Sequence, residues 1–159
     1  MLMFYWSILA IDWERNLGMT GQQEILERSA QEAWDAVNSD DNAYIIDVRT
    51  DIEWSQVGAP DLGALSSKLH FISWQLPPDT RVNAAFLEEL AATQIPQNGK
   101  LYFLCRSGVR SLAAARLAAE AGYETPINVA AGFEGIAGPD GKRHGGWVGA
   151  GLSSARFSR

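Results

Sequence analysis

Apolar positions in this chain gather into short runs between polar, turn-rich stretches, and the runs alternate with segments of helical spacing. Asn42 to Val48 reads NAYIIDV, a compact apolar run bounded by polar turn residues, which predicts a buried strand. Lys68 to Trp74, KLHFISW, predicts a second; the turn-rich GAPDLGALSS precedes it and Pro77-Pro78 stops it. Leu101 to Leu104 and Pro126 to Ala130 predict a third and a fourth. Between them, Ser29 and Glu32 have the spacing of a capping box, so a helix is expected from about Ala30 to Asn38. Arg81 to Thr93 is helix-like, with Phe86, Leu87 and Leu90 on one face. Val109 to Ala121 holds six alanines from Ser111 onward, and Gly122 is placed to end that helix.

Strands that alternate with helices predict an α/β domain whose central, mostly parallel sheet is flanked by helices. Sites in such sheets lie in the crevice beyond the carboxyl ends of the strands. Two polar clusters fall there, Asp47-Val48-Arg49 and the segment Cys105 to Arg110. From Gly132 to Gly151 there are eight glycines, too many for regular structure, so this part is expected to wrap the domain as an ordered or semi-ordered segment without internal repeat.

The first eleven residues, MLMFYWSILAI, are apolar apart from Ser7, and Asp12, Glu14 and Arg15 follow at once. A bilayer span needs about 20 residues, and neither a basic start nor a small-residue cleavage site is clear. Residues 1–18 are therefore expected to be an extension outside the fold, with residues 19–159 as a single domain.

A 47% hydrophobic and 20% charged composition is that of a globular chain, not a disordered one. The formal net charge of -6 speaks against nucleic acid as a partner, since a phosphate backbone calls for clustered Lys and Arg. No basic stripe accompanies the six tryptophans, so they do not form a base-stacking platform. With one cysteine no intramolecular disulfide is available, which fits a reducing, cytoplasmic compartment. That cysteine and the two histidines, His70 and His144, cannot assemble a zinc site of about four ligands. No metal or cofactor is implied.

The chemistry concentrates in LYFLCRSGVRS, Leu101 to Ser111. A free thiol with a pKa of about 8.5 is only about 3% ionised at pH 7, so a nucleophilic cysteine needs surroundings that favour its anion. A Ser-Gly turn opening into a helix leaves backbone N–H groups that can converge on Cys105. Gly108 permits the close approach, and Arg106 and Arg110 bracket the turn with permanent positive charge. The competing reading is a small buried thiol that only packs. Asp47 either caps a neighbouring turn or orders the site loops. Arg49 either pairs with Asp51 or Glu53 at the surface or assists the site. Trp54, Trp74 and Phe133 either line the rim or fill the core.

These pieces carry a resemblance. DVRTDIEW (Asp47 to Trp54), YFLCRSGVRS (Tyr102 to Ser111), AGYETPINVAAGFEG (Ala121 to Gly135) and GGWVGAGL (Gly145 to Leu152) resemble, in order, a single-domain rhodanese-type sulfurtransferase. The resemblance implies that Cys105 accepts a sulfane sulfur from a small anionic donor such as thiosulfate. The resulting persulfide would pass its sulfur to a thiol, cyanide or protein acceptor. It implies that the backbone from Arg106 through Ser107, Gly108 and Val109 to Arg110 cradles the sulfur. Arg106 and Arg110 would draw in the donor with Arg49 as helper, and Asp47 and Ser111 would support the loop. The family usually has a Gly-His-Ile-Pro-Gly-Ala-like stretch where this chain reads SQVGAPDL (Ser55 to Leu62), so no role falls to a histidine there.

Phosphatases and arsenate reductases of related fold place five residues between Cys and Arg, a cradle for a tetrahedral oxyanion. Here four, Arg106 to Val109, separate Cys105 from Arg110, and no general acid is marked nearby. A persulfide carrier or binding module for a dedicated protein partner is the remaining alternative.

Overall fold

The computed structural model describes residues 23–159. The expected extension over residues 1–18 and the expected domain start at residue 19 lie outside the described residues. Five strands, β1 (Leu26–Arg28), β2 (Ala43–Asp47), β3 (Leu69–Phe71), β4 (Lys100–Leu104) and β5 (Thr125–Val129), form one sheet in the order β1-β5-β4-β2-β3. Every pairing in it is parallel. The helices are α1 (Ala30–Ser39), α2 (Asp51–Gln56), α3 (Phe86–Ala92), α4 (Val109–Glu120) and the single turn α5 (Gly146–Gly149). The fold is thus the α/β architecture that the alternation of runs predicts. Among the described residues no helix is long and apolar enough to cross a membrane.

Both faces of the sheet are covered, which is why β2 and β4 read as unbroken apolar runs. Side chains alternate across each strand. In β2, Ala43 and Ile45 join Ala30, Ala33 and Val37 of α1 and Trp147 of α5, whereas Ile46 joins Phe86 and Leu90 of α3 and the alanines of α4. In β4, Tyr102 and Leu104 take the α1 side, while Leu101 and Phe103 take the α4 side. Cys105, one residue past the strand, continues that alternation and lies under α4. Ala114, Ala115 and Ala118 are fully buried, so the helix rides close to the sheet on its smallest side chains.

Register sets the site. Tyr102 lies beside Ile45 and Leu104 beside Asp47, and the Val48 N–H donates to Leu104 O at 2.8 Å. The carboxyl ends of β2 and β4 therefore finish level. The Ser29 capping box forms as expected, with Glu32 N–H on Ser29 Oγ at 3.1 Å and Ser29 N–H on Glu32 Oε2 at 2.7 Å.

Three expectations are revised. The strand expected over Lys68 to Trp74 is confined to Leu69–Phe71. The helix expected from Arg81 begins at Phe86, because buried Asn83 takes the preceding turn for itself. Its amide donates to Ser73 O at 3.0 Å and its Oδ1 accepts from Ala85 N–H at 3.0 Å, a local pattern that competes with helix. Arg81–Val82 instead pairs antiparallel with Gln75–Leu76. The glycine-rich segment is more regular than expected, with Ile136–Ala137 pairing antiparallel with Arg143–His144 ahead of α5.

Ala115→Leu should push α4 off the sheet and cost about 1–3 kcal/mol. Urea unfolding monitored by tryptophan fluorescence checks this, and an unchanged midpoint would mean slack between helix and sheet.

Candidate active site

Cys105 leaves the end of β4 with 1% of its surface exposed, and the loop behind it turns back into α4. The Gly108 N–H donates to Cys105 Sγ at 3.1 Å. Gly108 has φ +103, a left-handed geometry that glycine adopts without penalty, and this turns its amide inward as α4 starts. The hydroxyl of buried Ser111 lies 3.1 Å from Sγ and 2.6 Å from Asn128 Oδ1. Asn128 donates from Nδ2 to Gly108 O at 3.1 Å and to Glu27 Oε1 at 3.2 Å, which leaves Oδ1 as the acceptor for Ser111. The single hydroxyl proton thus has two acceptors. A thiol can donate to Ser111 Oγ while Ser111 donates to Asn128, and a thiolate can instead accept a hydrogen bond from the Ser111 hydroxyl.

The GFEG segment closes the loop from the other side. Phe133 N–H donates to Cys105 O at 2.8 Å and Glu134 N–H to Arg106 O at 3.0 Å. The approach is so close that a Cβ on Gly132 (φ +54) would stand 2.4 Å from Cys105 O. Only glycine fits there.

The arginines do not stand free. Arg110 forms a two-pronged pair with Glu53, Nη1 to Oε2 at 2.8 Å and Nη2 to Oε1 at 2.7 Å. Glu53 is the third residue of α2 and completes a second capping box, accepting from Thr50 N–H at 3.0 Å while its own N–H reaches Thr50 Oγ1 at 3.4 Å. Burial works to raise its pKa. The hydrogen bonds from Arg110 and Thr50 and the Arg110 charge more than offset this and hold it at about 2, against an ordinary 4.5. The same contact raises the Arg110 guanidinium, with the neighbouring Cys105 and Asp47 adding to the effect. Arg106, half exposed, has Nε 3.0 Å from Glu134 Oε2.

Arg49 corrects its expectation. It pairs with neither Asp51 nor Glu53 at the surface; its partner is Asp47, inside the fold. Its side chain has no exposed surface, with Nε 3.0 Å and Nη2 2.7 Å from the two oxygens of Asp47. Nη2 also donates to Gly58 O at 2.8 Å, and the guanidinium lies 4.1 Å from the centre of the Phe133 ring. A planar fork matched to a carboxylate explains the burial. The pair ties the end of β2 to the 58 and 133 loops. Trp54 and Phe133 are fully buried core residues, and half-buried Trp74 packs edge-on against Phe86. His70 is half-buried, its pKa lowered by burial, and His144 contacts Asp140 at 2.9 Å.

The structure gathers Cys105, Arg106, Ser107, Gly108, Val109, Arg110 and Ser111 in one loop, with Val109 76% exposed at its rim. Sequence reasoning missed Glu53, Asn128 and Glu134. The Thr50-x-x-Glu53 spacing was a legible signal for the first, but nothing local marks the other two.

A parallel sheet that delivers a cysteine into a strand-to-helix loop is the frame of a rhodanese-like domain. The family described as the STR4 middle domain matches residues 26–150, and the chain belongs to that family. Protein RC0915 of Rickettsia conorii is 42% identical over 103 residues, 65% of this chain and 79% of that protein. The crystal structure of Rv0390 from M. tuberculosis is 37% identical with a TM-score of 0.74, covering 82% of this chain and 97% of that one. The rhodanese-like domain-containing protein 4, chloroplastic, of Arabidopsis thaliana is 30% identical over 111 residues, 69% of this chain and 23% of that protein.

Because the Glu53 pKa is depressed, the folded state binds fewer protons there than the unfolded state. Its contribution is complete above about 4.5 and is lost as pH falls toward 2. Glu53→Gln should lower stability at pH 7 and flatten the acid limb between those values, read from urea midpoints across pH. Equal slopes in both proteins would count against the Arg110–Glu53 pair.

Proposed function

We propose that this protein is a sulfurtransferase that moves a sulfane sulfur, from a donor such as thiosulfate, to a thiophilic acceptor through a persulfide on Cys105. The observation that carries the reading is the seat of Sγ, at the carboxyl end of a central strand with the Gly108 N–H on it at 3.1 Å. In the first half-reaction the thiolate attacks the outer sulfur of thiosulfate. The Sγ–S bond forms as the donor S–S bond breaks, and sulfite leaves with the bonding pair. In the second, cyanide or an acceptor thiolate attacks the outer sulfur. Thiocyanate or a new persulfide leaves, and the Cys105 thiolate returns. Charge and electrons balance in both steps, and the covalent sulfur is itself the carried group.

The helix start supports this chemistry. The first N–H groups of α4 lack intrahelical partners and their dipoles favour negative charge at the loop. Gly108, the residue before α4, offers no side-chain cap that would occupy them. The four-residue spacing between Cys105 and Arg110 supports a single sulfur atom over a phosphoryl group as the guest.

Intact mass spectrometry after excess thiosulfate should show a gain of one sulfur atom in the wild type, removed by cyanide with thiocyanate released. Cys105→Ser should show no gain. Sulfur uptake by the serine variant, or none by the wild type from thiosulfate or an organic thiosulfonate while Cys105 stays alkylatable at neutral pH, would overturn the mechanism.

A further inference from the structure

Three arginines belong to the segments that follow β2 and β4, and each guanidinium is matched by a carboxylate: Arg49 by Asp47 at 2.7 Å, Arg110 by Glu53 at 2.7 Å and Arg106 by Glu134 at 3.0 Å. Their local sum is zero, in a chain whose formal net charge is -6. A dianion approaching this loop meets no uncompensated cation among these three. Arg106 is the one exposed enough to swing toward it, since an ion pair with a half-exposed partner is weak. Doing so leaves the Glu134 carboxylate beside the incoming negative charge.

The surface next to the loop is apolar. Val109 is 76% exposed and Ile136 57% exposed. Both line a cavity of about 440 Å³ whose wall includes Ser107, Gly108, Leu112 and Asn128, so it adjoins the residues that hold Sγ. The two charged groups on its wall, Glu27 and Arg116, are of opposite sign.

We infer that the site is built for an organic sulfane-sulfur carrier of low net charge, a persulfide or thiosulfonate whose carbon body lies on the Val109–Ile136 wall, and that it discriminates against inorganic thiosulfate. This rests on the sulfurtransferase reading above and names its substrate class. With a thiosulfonate the Cys105 thiolate attacks the terminal sulfur. The Sγ–S bond forms, the S–S bond breaks, and the sulfinate leaves with the electron pair. With an organic persulfide the leaving group is the thiolate.

The test is the second-order rate of persulfide loading on the full chain, read by acid quench and intact mass, with thiosulfate, methanethiosulfonate and benzenethiosulfonate. Thiosulfate loading should stay level or rise as salt increases from about 20 mM to about 300 mM, because no net attraction is there to be screened. Glu134→Gln should raise thiosulfate loading about fivefold at low salt, and methanethiosulfonate, with half the charge, about twofold. Ile136→Ser should lower the benzene-to-methane ratio about threefold by removing exposed apolar contact. A thiosulfate rate that falls several-fold with salt, or is unmoved by Glu134→Gln, overturns the charge inference while the persulfide chemistry stands. An unmoved benzene-to-methane ratio overturns the apolar wall. No loading from any donor overturns the sulfurtransferase reading and the inference with it.

Discussion

The two-pronged contact between Arg110 and Glu53 is the interaction on which the rest of the site depends. Arg110 is the second residue of α4, and Glu53 the third residue of α2. The fork joins the starts of the two helices that follow neighbouring strands, with both side chains about four-fifths buried. Losing one partner would strand a charge in a poorly solvated place, a larger cost than the pair itself contributes. The same carboxylate accepts from the Thr50 N–H, so one group satisfies a helix cap and fixes the opposite loop. The arrangement of α2 relative to α4 thus follows from charge matching as well as from apolar packing.

Around that contact the cysteine loop is held by backbone geometry. Gly132 lets the 131–135 turn lie against Cys105 and Arg106, and two N–H groups from it donate to the loop carbonyls. On the inner side, Ser111 and Asn128 connect Sγ through Gly108 O back to the sheet. Loops are usually the mobile part of a domain, but here Cys105, Arg106, Gly108, Arg110 and Ser111 each have a hydrogen-bond partner outside the loop. In the sulfurtransferase reading proposed above, a thiol held this way need not be ordered when its donor arrives, which is where positioned groups contribute to rate.

Much of this architecture was legible in the chain. The compact apolar runs of β2 and β4 and the alanine-rich α4 announced a covered parallel sheet, and Ser29-x-x-Glu32 announced the start of α1. Cys105 through Ser111 stood out because a thiol followed by two arginines, ahead of a helix start, violates the ordinary pattern of a buried strand end. What stayed hidden was of two kinds. β1 is three residues long with exposed side chains, so its place beside β5 comes from backbone pairing, which leaves no apolar signature. The partners of the arginines lie far away in sequence: Glu53 is 57 residues from Arg110. Arg49 was misread for the opposite reason, since its partner Asp47 is two residues away and local reasoning placed a charged pair on the surface. The burial of that pair follows from the loops that close over it, which only the tertiary structure shows.

Pairing Arg49, Arg106 and Arg110 with carboxylates changes what kind of stabilisation the loop offers. A free guanidinium acts over several ångströms and draws any anion, so a site built on it would collect the oxyanions common in a cell. A peptide N–H acts at hydrogen-bond range and only along its own direction. The Gly108 N–H meets Sγ itself at 3.1 Å. Stabilisation by short-range dipoles inside a compensated ring therefore rewards a charge that sits on sulfur at the end of β4 and little else. The pairs that neutralise the arginines also lock the loop that carries those dipoles. Discrimination by charge and rigidity of the cradle have the same physical origin, and a change that frees an arginine for an anion must loosen the geometry that holds the sulfur.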